Sequence, residues 1–202
     1  DDVPTLSPSW GSPLLSWQAT HPITLEPVVR TFDPVHPEPH RGPMDLWTFR
    51  RVADRTNFQA GAYDSDVVLD NWPQIDYLRG TLVGVSPEEA ARHLEGARSL
   101  SMSMLYWMQT EAPRRDGGTG WPGLRLRPDV TGTADGLAAA PYIREARRLH
   151  GEFTVLEQHV GLEARMQATG LSVTEVTAQT FPDSVGIGAY RIDLHPSTGG
   201  DN

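Results

Sequence analysis

The sequence predicts an α+β domain, a mixed or antiparallel β-sheet with one long buried helix. Three observations lead there. Ser86-Pro87-Glu88-Glu89 opens an apolar repeat at helical spacing that runs to about Thr110. Short β-branched and aromatic runs recur on both sides of it, at Leu46–Val52, Val67–Leu69 and Tyr190–His195. The 202 residues also include 17 Pro and 19 Gly, too many for a helical bundle and enough to break the chain into short elements.

From the N-terminus, residues 1–45 form a Pro-rich irregular arm. Pro at 4, 8, 13, 22, 27, 34, 37, 39 and 43 forbids a long helix and discourages a central strand. At most one short strand is expected, near Ile23–Thr31, with Trp10 and Trp17 anchoring the arm onto the remainder. His21, His36 and His40 sit in Pro-containing loops, with no carboxylate at helical spacing, and are not read as a metal site. Residues 46–202 then form a second region. Leu46–Val52 reads as a strand and Val67–Leu69 as a short second one, separated by turn signals at Arg55-Thr56-Asn57 and Asp64-Ser65-Asp66. In Asp70–Tyr77 (DNWPQIDY), aromatic, amide and acid groups alternate around a proline. It is either a substrate-facing loop that presents Asn71 and Tyr77, or an Asx-turn with aromatics packed beneath it.

Ser86 is the expected N-cap of the long helix, with Pro87 at the first helical position and Glu89 completing a capping box. The helix would be about 37 Å long. Its second half, LSMSMLYWMQT, is apolar nearly all round and should be buried on several sides. Leu124–Arg127 alternates like a half-buried strand, and Thr131–Ala140 holds one helical turn at most. Pro141–Leu156 is open between helix and strand, with Phe153-Thr154-Val155 favouring the strand. Gly161–Gly170 reads as a short helix or an excursion, Leu171–Thr180 as a strand, and Gly186–His195 as a strand alternating strictly at its end.

Composition removes several functions. The net charge of −9 argues against nucleic acid and anionic membranes as partners. All 17 basic residues are Arg, so Schiff-base chemistry is excluded, and the absence of Cys excludes thiol catalysis, disulfides and Cys-ligated metals. No apolar run is long enough for a membrane span and no signal peptide is visible, which points to a cytoplasmic location. Arg114–Gly120 lacks the GxGxxG dinucleotide pattern, and no GxSxG nucleophile motif occurs. A start at Asp1-Asp2 and an end at Gly199-Gly200-Asp201-Asn202 suggest a processed chain or a piece of a larger protein.

The densest chemistry lies at Pro141–His150, where Arg144, Arg147 and Arg148 fall within five residues. Guanidinium groups so crowded call for anionic or carbonyl partners. On the last strand, Arg191, Asp193 and His195 share one face opposite Tyr190, Ile192 and Leu194, a polar wall suited to a site.

Two blocks carry a resemblance. They are Gly120–Val160 (GWPGLRLRPDVTGTADGLAAAPYIREARRLHGEFTVLEQHV) and Phe181–Asn202 (FPDSVGIGAYRIDLHPSTGGDN), joined by Asp70–Tyr77 and Tyr106–Glu111 (YWMQTE). Together, over roughly 57–202, they resemble the interior of a family of FAD-dependent oxidoreductases, some of which are labelled xanthan-lyase-associated. One departure is Ala146, where the family pattern has a small hydroxyl residue. The resemblance implies a glutathione-reductase-like flavoprotein fold, of which this chain is the incomplete, substrate-side middle. Sister segments or chains would carry the FAD-binding Rossmann part. It implies a small oxygen-rich or anionic substrate, oxidised by hydride transfer to the flavin. Arg144, with Arg147 or Arg148, would hold substrate or stabilise reduced flavin. His195 would act as base, and Tyr190 and Arg191 would orient it or the substrate. Asp193 is expected to be structural. A non-catalytic binding or structural module derived from such an enzyme is the alternative.

Overall fold

The computed structural model describes residues 14–21, 24, 26–35, 45–143 and 150–186. The chain divides into two compact units, residues 1–142 with 193–202, and residues 143–192.

The first unit is organised by aromatic packing. Trp17, Phe32, Leu46, Trp72, Met104, Trp107, Met108, Ala112 and Trp121 form one buried cluster. Trp17 lies at its centre. It stacks on Phe32 at 4.9 Å and meets Trp107, Trp121 and Trp72 edge-on at 4.7, 6.0 and 6.3 Å. Its Nε1 donates to the Pro113 carbonyl at 3.0 Å, so the indole is satisfied while buried. The segment carrying Trp17 is thus part of the core, and two short strands hold it there. β1 (Gln18–Thr20) and β2 (Pro27–Val29) pair antiparallel, with Ala19 opposite Val28. The sequence places a strand in this neighbourhood but not its partner.

Leu46–Val52 is not a strand. Leu46–Phe49 forms a single helical turn, α1, and only the end of the run continues as β3 (Arg51–Ala53). The cause is Asp45, whose carboxylate accepts from the Thr48 backbone N–H at 3.0 Å and from the Thr48 hydroxyl at 3.2 Å. This N-cap starts a helix that the aromatic content alone would not predict. β3 pairs antiparallel, through a bulge, with β4 (Val67–Val68). Asp66, just before β4, ties the region together. Its Oδ2 accepts from Trp47 Nε1 at 3.2 Å and Arg51 Nη1 at 3.0 Å, and its Oδ1 accepts from the Arg55 N–H at 3.0 Å. Burial alone would push this carboxyl up, but the hydrogen bonds from Arg55, Arg51 and Trp47 hold it below its ordinary range.

The long helix α2 spans Pro87–Thr110. Ser86 Oγ accepts from the Glu89 N–H at 3.2 Å, as the capping pattern requires. Removing that acceptor in Ser86→Ala is expected to cost about 1 kcal/mol in urea denaturation of the chain; a loss below a few tenths would mean that the cap is idle. The second half of α2 is not buried on several sides. Leu100, Met104, Trp107 and Met108 face the core, whereas Met102 and Tyr106 are 44% and 63% exposed. Adjacent helical residues point about 100° apart, so one packed face leaves Met102 and Tyr106 outside.

After α2 the chain doubles back. The Gly120 N–H bonds the Ala112 carbonyl at 2.8 Å and the Trp121 N–H bonds the Met108 carbonyl at 2.9 Å, which delivers Trp121 to the core. Gly120 holds φ +66°, and a Cβ there would collide with the Gln109 carbonyl. Only glycine fits this turn. Leu124–Arg127 is not in a strand; the Leu124 carbonyl instead accepts from Gln109 Nε2 at 2.7 Å. The helical turn expected within 131–140 comes earlier, as α3 (Pro128–Thr131).

The second unit carries α4 (Glu157–Val160) and α5 (Leu162–Thr169), so the helical reading of 161–170 holds. His159 accepts the Leu156 N–H at 2.9 Å, and Gln179 returns to the His159 carbonyl at 2.8 Å. Residues 171–180 form turns and irregular chain, not a strand, and Phe153–Val155 is not in one either. None of the described residues of this unit is buried; Phe153, Val155, Leu162 and Val173 are each more than half exposed. Among the described residues the architecture is α+β, but its sheets are two separate antiparallel pairs.

Candidate functional site

Of the residues the sequence assigns to a site, Asn71 and Tyr77 lie within the described structure. Arg144, Arg147, Arg148, Tyr190, Arg191 and His195 lie outside the described residues, as does the polar strand face at Arg191, Asp193 and His195.

Asn71 and Tyr77 belong to the segment Asp70–Tyr77, which contains a 3₁₀ turn at Pro73–Ile75 packed near α2. Pro73 sets this turn by fixing φ at its first position. Trp72 points inward, 3% exposed, against Phe32 at 5.6 Å. The Trp72 backbone N–H is directed at the Asp70 carboxylate and draws its proton affinity down, above the packed Trp72 ring. Gln74, 4% exposed, donates from Nε2 to the carbonyls of Ser16 at 3.2 Å and Gln18 at 2.8 Å, joining the loop to β1.

A purely structural turn would satisfy its polar atoms, and this one does not. Asp70 Oδ1, Asn71 Oδ1, Trp72 Nε1 and Gln74 Oε1 are all buried without a hydrogen-bond partner. Native proteins bury few such atoms, and each unpartnered one costs on the order of 1–3 kcal/mol. Four within five residues make this loop the most polar-frustrated stretch among the described residues. Asp70 as a whole is half-buried, but Oδ1 has no solvent contact. Burial pushes its carboxyl up to about 7, and the Trp72 N–H offsets only part of that. A carboxyl with that proton affinity exchanges its proton near neutral pH, as acid–base chemistry requires. Sequence reasoning singled out Asn71 and Tyr77 but passed over Asp70. Its burial depends on packing that no local pattern records.

At the other end of the segment, Tyr77 Oη lies 3.1 Å from His93 Nδ1 on α2, and His93 Nε2 lies 3.7 Å from Glu89 Oε1. His93 is also a residue that the sequence did not mark; it sits four residues after Glu89, on the same helical face. A separate shallow groove of about 470 Å³ runs along the C-terminal half of α2, lined by Leu15, Met102, Ser103, Tyr106, Trp107 and Glu111. Its walls are mostly apolar, and it includes none of the Asp70–Tyr77 side chains. Among the described residues no three His, Asp or Glu side chains gather as metal ligands, and no helix is long and apolar enough to cross a membrane.

A family model described as FAD dependent oxidoreductase matches residues 15–202. No curated protein and no solved structure matches the chain.

Proposed function

Because the chain belongs to the FAD dependent oxidoreductase family, whose cofactor is FAD, we propose that it forms the substrate-side part of such an enzyme and works beside sister segments or chains that hold the cofactor. The observation that carries this reading is the family match over 15–202 in a chain whose described residues do not fit the pyrophosphate of FAD. A dinucleotide is gripped where a glycine-rich turn leads from a strand into a helix N-terminus. A GxGxxG string does occur at Gly118–Gly123, but no strand leads into it and no helix follows it; Trp121 turns into the core instead, and the next helix begins only at Pro128. The N-terminus of α2 is occupied by the Ser86 cap and carries Glu88 and Glu89 in its first turn, two carboxylates that repel phosphate. At the Gly117-Gly118 turn, the Gly118 N–H is already taken by the Asp116 carboxylate at 3.0 Å. The apolar side chains left exposed in 143–192 support a unit that packs against further protein, as a substrate region against its FAD-binding partner would.

In this reading the fold of the assembled enzyme is glutathione-reductase-like, and residues 46–202 are its substrate region with 1–45 as an arm. The flavin in the sister segments accepts hydride from a small oxygen-rich or anionic substrate. This chain contributes the groups that hold and orient that substrate. Arg144, with Arg147 or Arg148, binds its anionic or carbonyl end. His195 removes a proton, oriented by Tyr190 and Arg191. Asn71 and Tyr77 meet the substrate from the loop described above. Arg144 and His195 also face the flavin ring.

The experiment is to purify the chain alone and together with the segments encoded on either side of it. The assembly is expected to be yellow with bound flavin, and the chain alone colourless. A chain that binds FAD tightly by itself overturns the division of labour. In the assembly, Arg144→Ala and His195→Ala are expected to keep the flavin but lose most of the turnover; unchanged turnover in both removes the site assignment. A non-catalytic binding module is the competing reading, favoured by the lack of a strand–turn–helix setting around the one GxGxxG string, Gly118–Gly123. It predicts that no assembly, however complete, acquires flavin.

A further inference from the structure

The contact between Tyr77 and α2 has a polarity that its surroundings decide. The Tyr77 ring packs close against α2 because residue 96 is glycine; a Cβ there would come 2.7 Å from Tyr77 Cε2. Across the contact, Gly80 leaves room for the His93 imidazole, which a Cβ at 80 would overlap. The ring of His93 is therefore held with little freedom, its side chain only 14% exposed, and Nδ1 toward the phenol at 3.1 Å. Its other nitrogen, Nε2, faces Glu89 Oε1 at 3.7 Å, and Arg92 Nη2 lies 4.0 Å from that same oxygen.

A neutral imidazole carries one N–H and one bare lone pair, and the tautomer is set by what each nitrogen faces. An ionised carboxylate is an acceptor only. A bare Nε2 aimed at Glu89 would set lone pair against negative charge, whereas an Nε2–H sets a positive edge there. At 3.7 Å this is an electrostatic preference, not a hydrogen bond. With the proton on Nε2, Nδ1 is bare and can only accept. The hydroxyl of Tyr77 must then donate its single proton to His93, and what it presents elsewhere is oxygen lone pairs.

We infer that Glu89 and His93 fix Tyr77 as a hydrogen-bond acceptor, so that this point of the site takes a substrate hydroxyl or amine and not a carbonyl or carboxylate. The inference rests on the reading of Tyr77 as a substrate contact and adds the chemical class of the group it meets. That group is the one an oxidation would act upon. A mismatched partner is penalised, because a carbonyl placed against the Tyr77 oxygen leaves two acceptors facing each other in a partly desolvated position. In this scheme Tyr77 meets the substrate, while His93 and Glu89 are positioning residues.

The test is long-range proton–nitrogen correlation NMR on the 202-residue chain with ¹⁵N-labelled histidine, at a pH where His93 is neutral. The expected result is an Nε2–H tautomer with Nδ1 unprotonated. Glu89→Gln is expected to shift His93 toward a mixture of the two tautomers, because the amide can face either nitrogen state; Tyr77→Phe is expected to leave Nε2–H in place. His93→Gln identifies the resonances among the seven histidines. An Nδ1–H tautomer in the wild-type chain, or one untouched by Glu89→Gln, overturns the inference. A merely structural contact would survive in either tautomer, so the proton position is the deciding readout. The wild-type spectrum alone decides the tautomer if a variant fails to fold. No flavin is needed, so this result can fail while the oxidoreductase reading stands, and the reverse.

Discussion

Trp17→Ala is expected to lower the stability of the chain by roughly 4 kcal/mol, within the range for emptying a large aromatic from a packed core. Trp17 touches each of the other four buried aromatics: Phe32 from beyond β2, Trp72 from the polar loop, Trp107 from α2 and Trp121 from the return segment. Truncation removes all four contacts and orphans the Pro113 carbonyl, which lies 96 residues away in sequence. Marginal stabilities of about 5–15 kcal/mol leave little behind such a loss. Urea denaturation followed by circular dichroism reads the change. Trp17→Phe serves as the control: it keeps a ring on Phe32 and forfeits mainly the indole hydrogen bond, for a loss of about 1–2 kcal/mol. A Trp17→Ala loss below about 1 kcal/mol would show that the segment around residue 17 is a dispensable arm and that the core closes without it.

Local and distant causes divide the elements of this chain. The start of α2 is a local matter: cap, proline and acidic first turn all lie within four residues, so the helix over 87–110 is legible without any tertiary information. The turn at Leu46–Phe49 is also local, but its signal lies one residue outside the aromatic and β-branched run at Leu46–Val52. Asp45 decides it, and strand propensity in LWTF loses to a cap that satisfies two donors. The strands expected at 124–127 and 171–180 fail for a different reason. Alternation marks a surface with one wet face, but a strand also needs a neighbour with free backbone groups, and no described segment supplies one there. Trp17 is the distant case. Nothing near a Pro-rich segment says that its indole will find a carbonyl beyond the end of α2.

The loop at 70–77 divides the same way. Its aromatic and amide content was enough to mark Asn71 and Tyr77, because side chains of that kind around a proline are unusual wherever they fall. The unpartnered buried atoms and the contact from Tyr77 to His93 were not legible, since both depend on α2 and β1 arriving beside the loop. The loop carries its own turn chemistry, and its neighbours decide which polar groups lose their water.

Asp70 is where that loss becomes measurable, and Asp70→Asn is expected to make the chain more stable at pH 8 by a few kcal/mol. The sign follows from linkage. The carboxyl is raised in the folded chain from an ordinary 3.8 to about 7 because burial penalises its charged form. Below about pH 4 it is protonated whether the chain is folded or not, and no stability is lost. Between about pH 4 and 7 the unfolded chain releases the proton while the folded chain keeps it, so stability falls as pH rises. Above that window both states are ionised and the loss is complete. At 1.36 kcal/mol for each tenfold change in proton affinity, the ceiling is roughly 4 kcal/mol; the half-exposed setting of the residue brings it lower. Asparagine keeps the shape and an oxygen facing the Trp72 N–H, but it carries no charge. The quantity to measure is the difference between wild-type and Asp70→Asn stability across pH 4–8. The difference matters because it also removes Asp66, whose carboxyl, held below its ordinary range by Arg55, Arg51 and Trp47, gives an opposite slope at the acidic edge of the window in both proteins. A flat difference would mean that the Asp70 carboxyl is solvated and the loop is an ordinary surface turn. A difference that grows across the window would show a buried acid that weakens the fold at neutral pH, held beside Asn71 among four unpartnered polar atoms. A structural turn gains nothing from such a group, whereas a site that must give up or take a proton near pH 7 has a use for it.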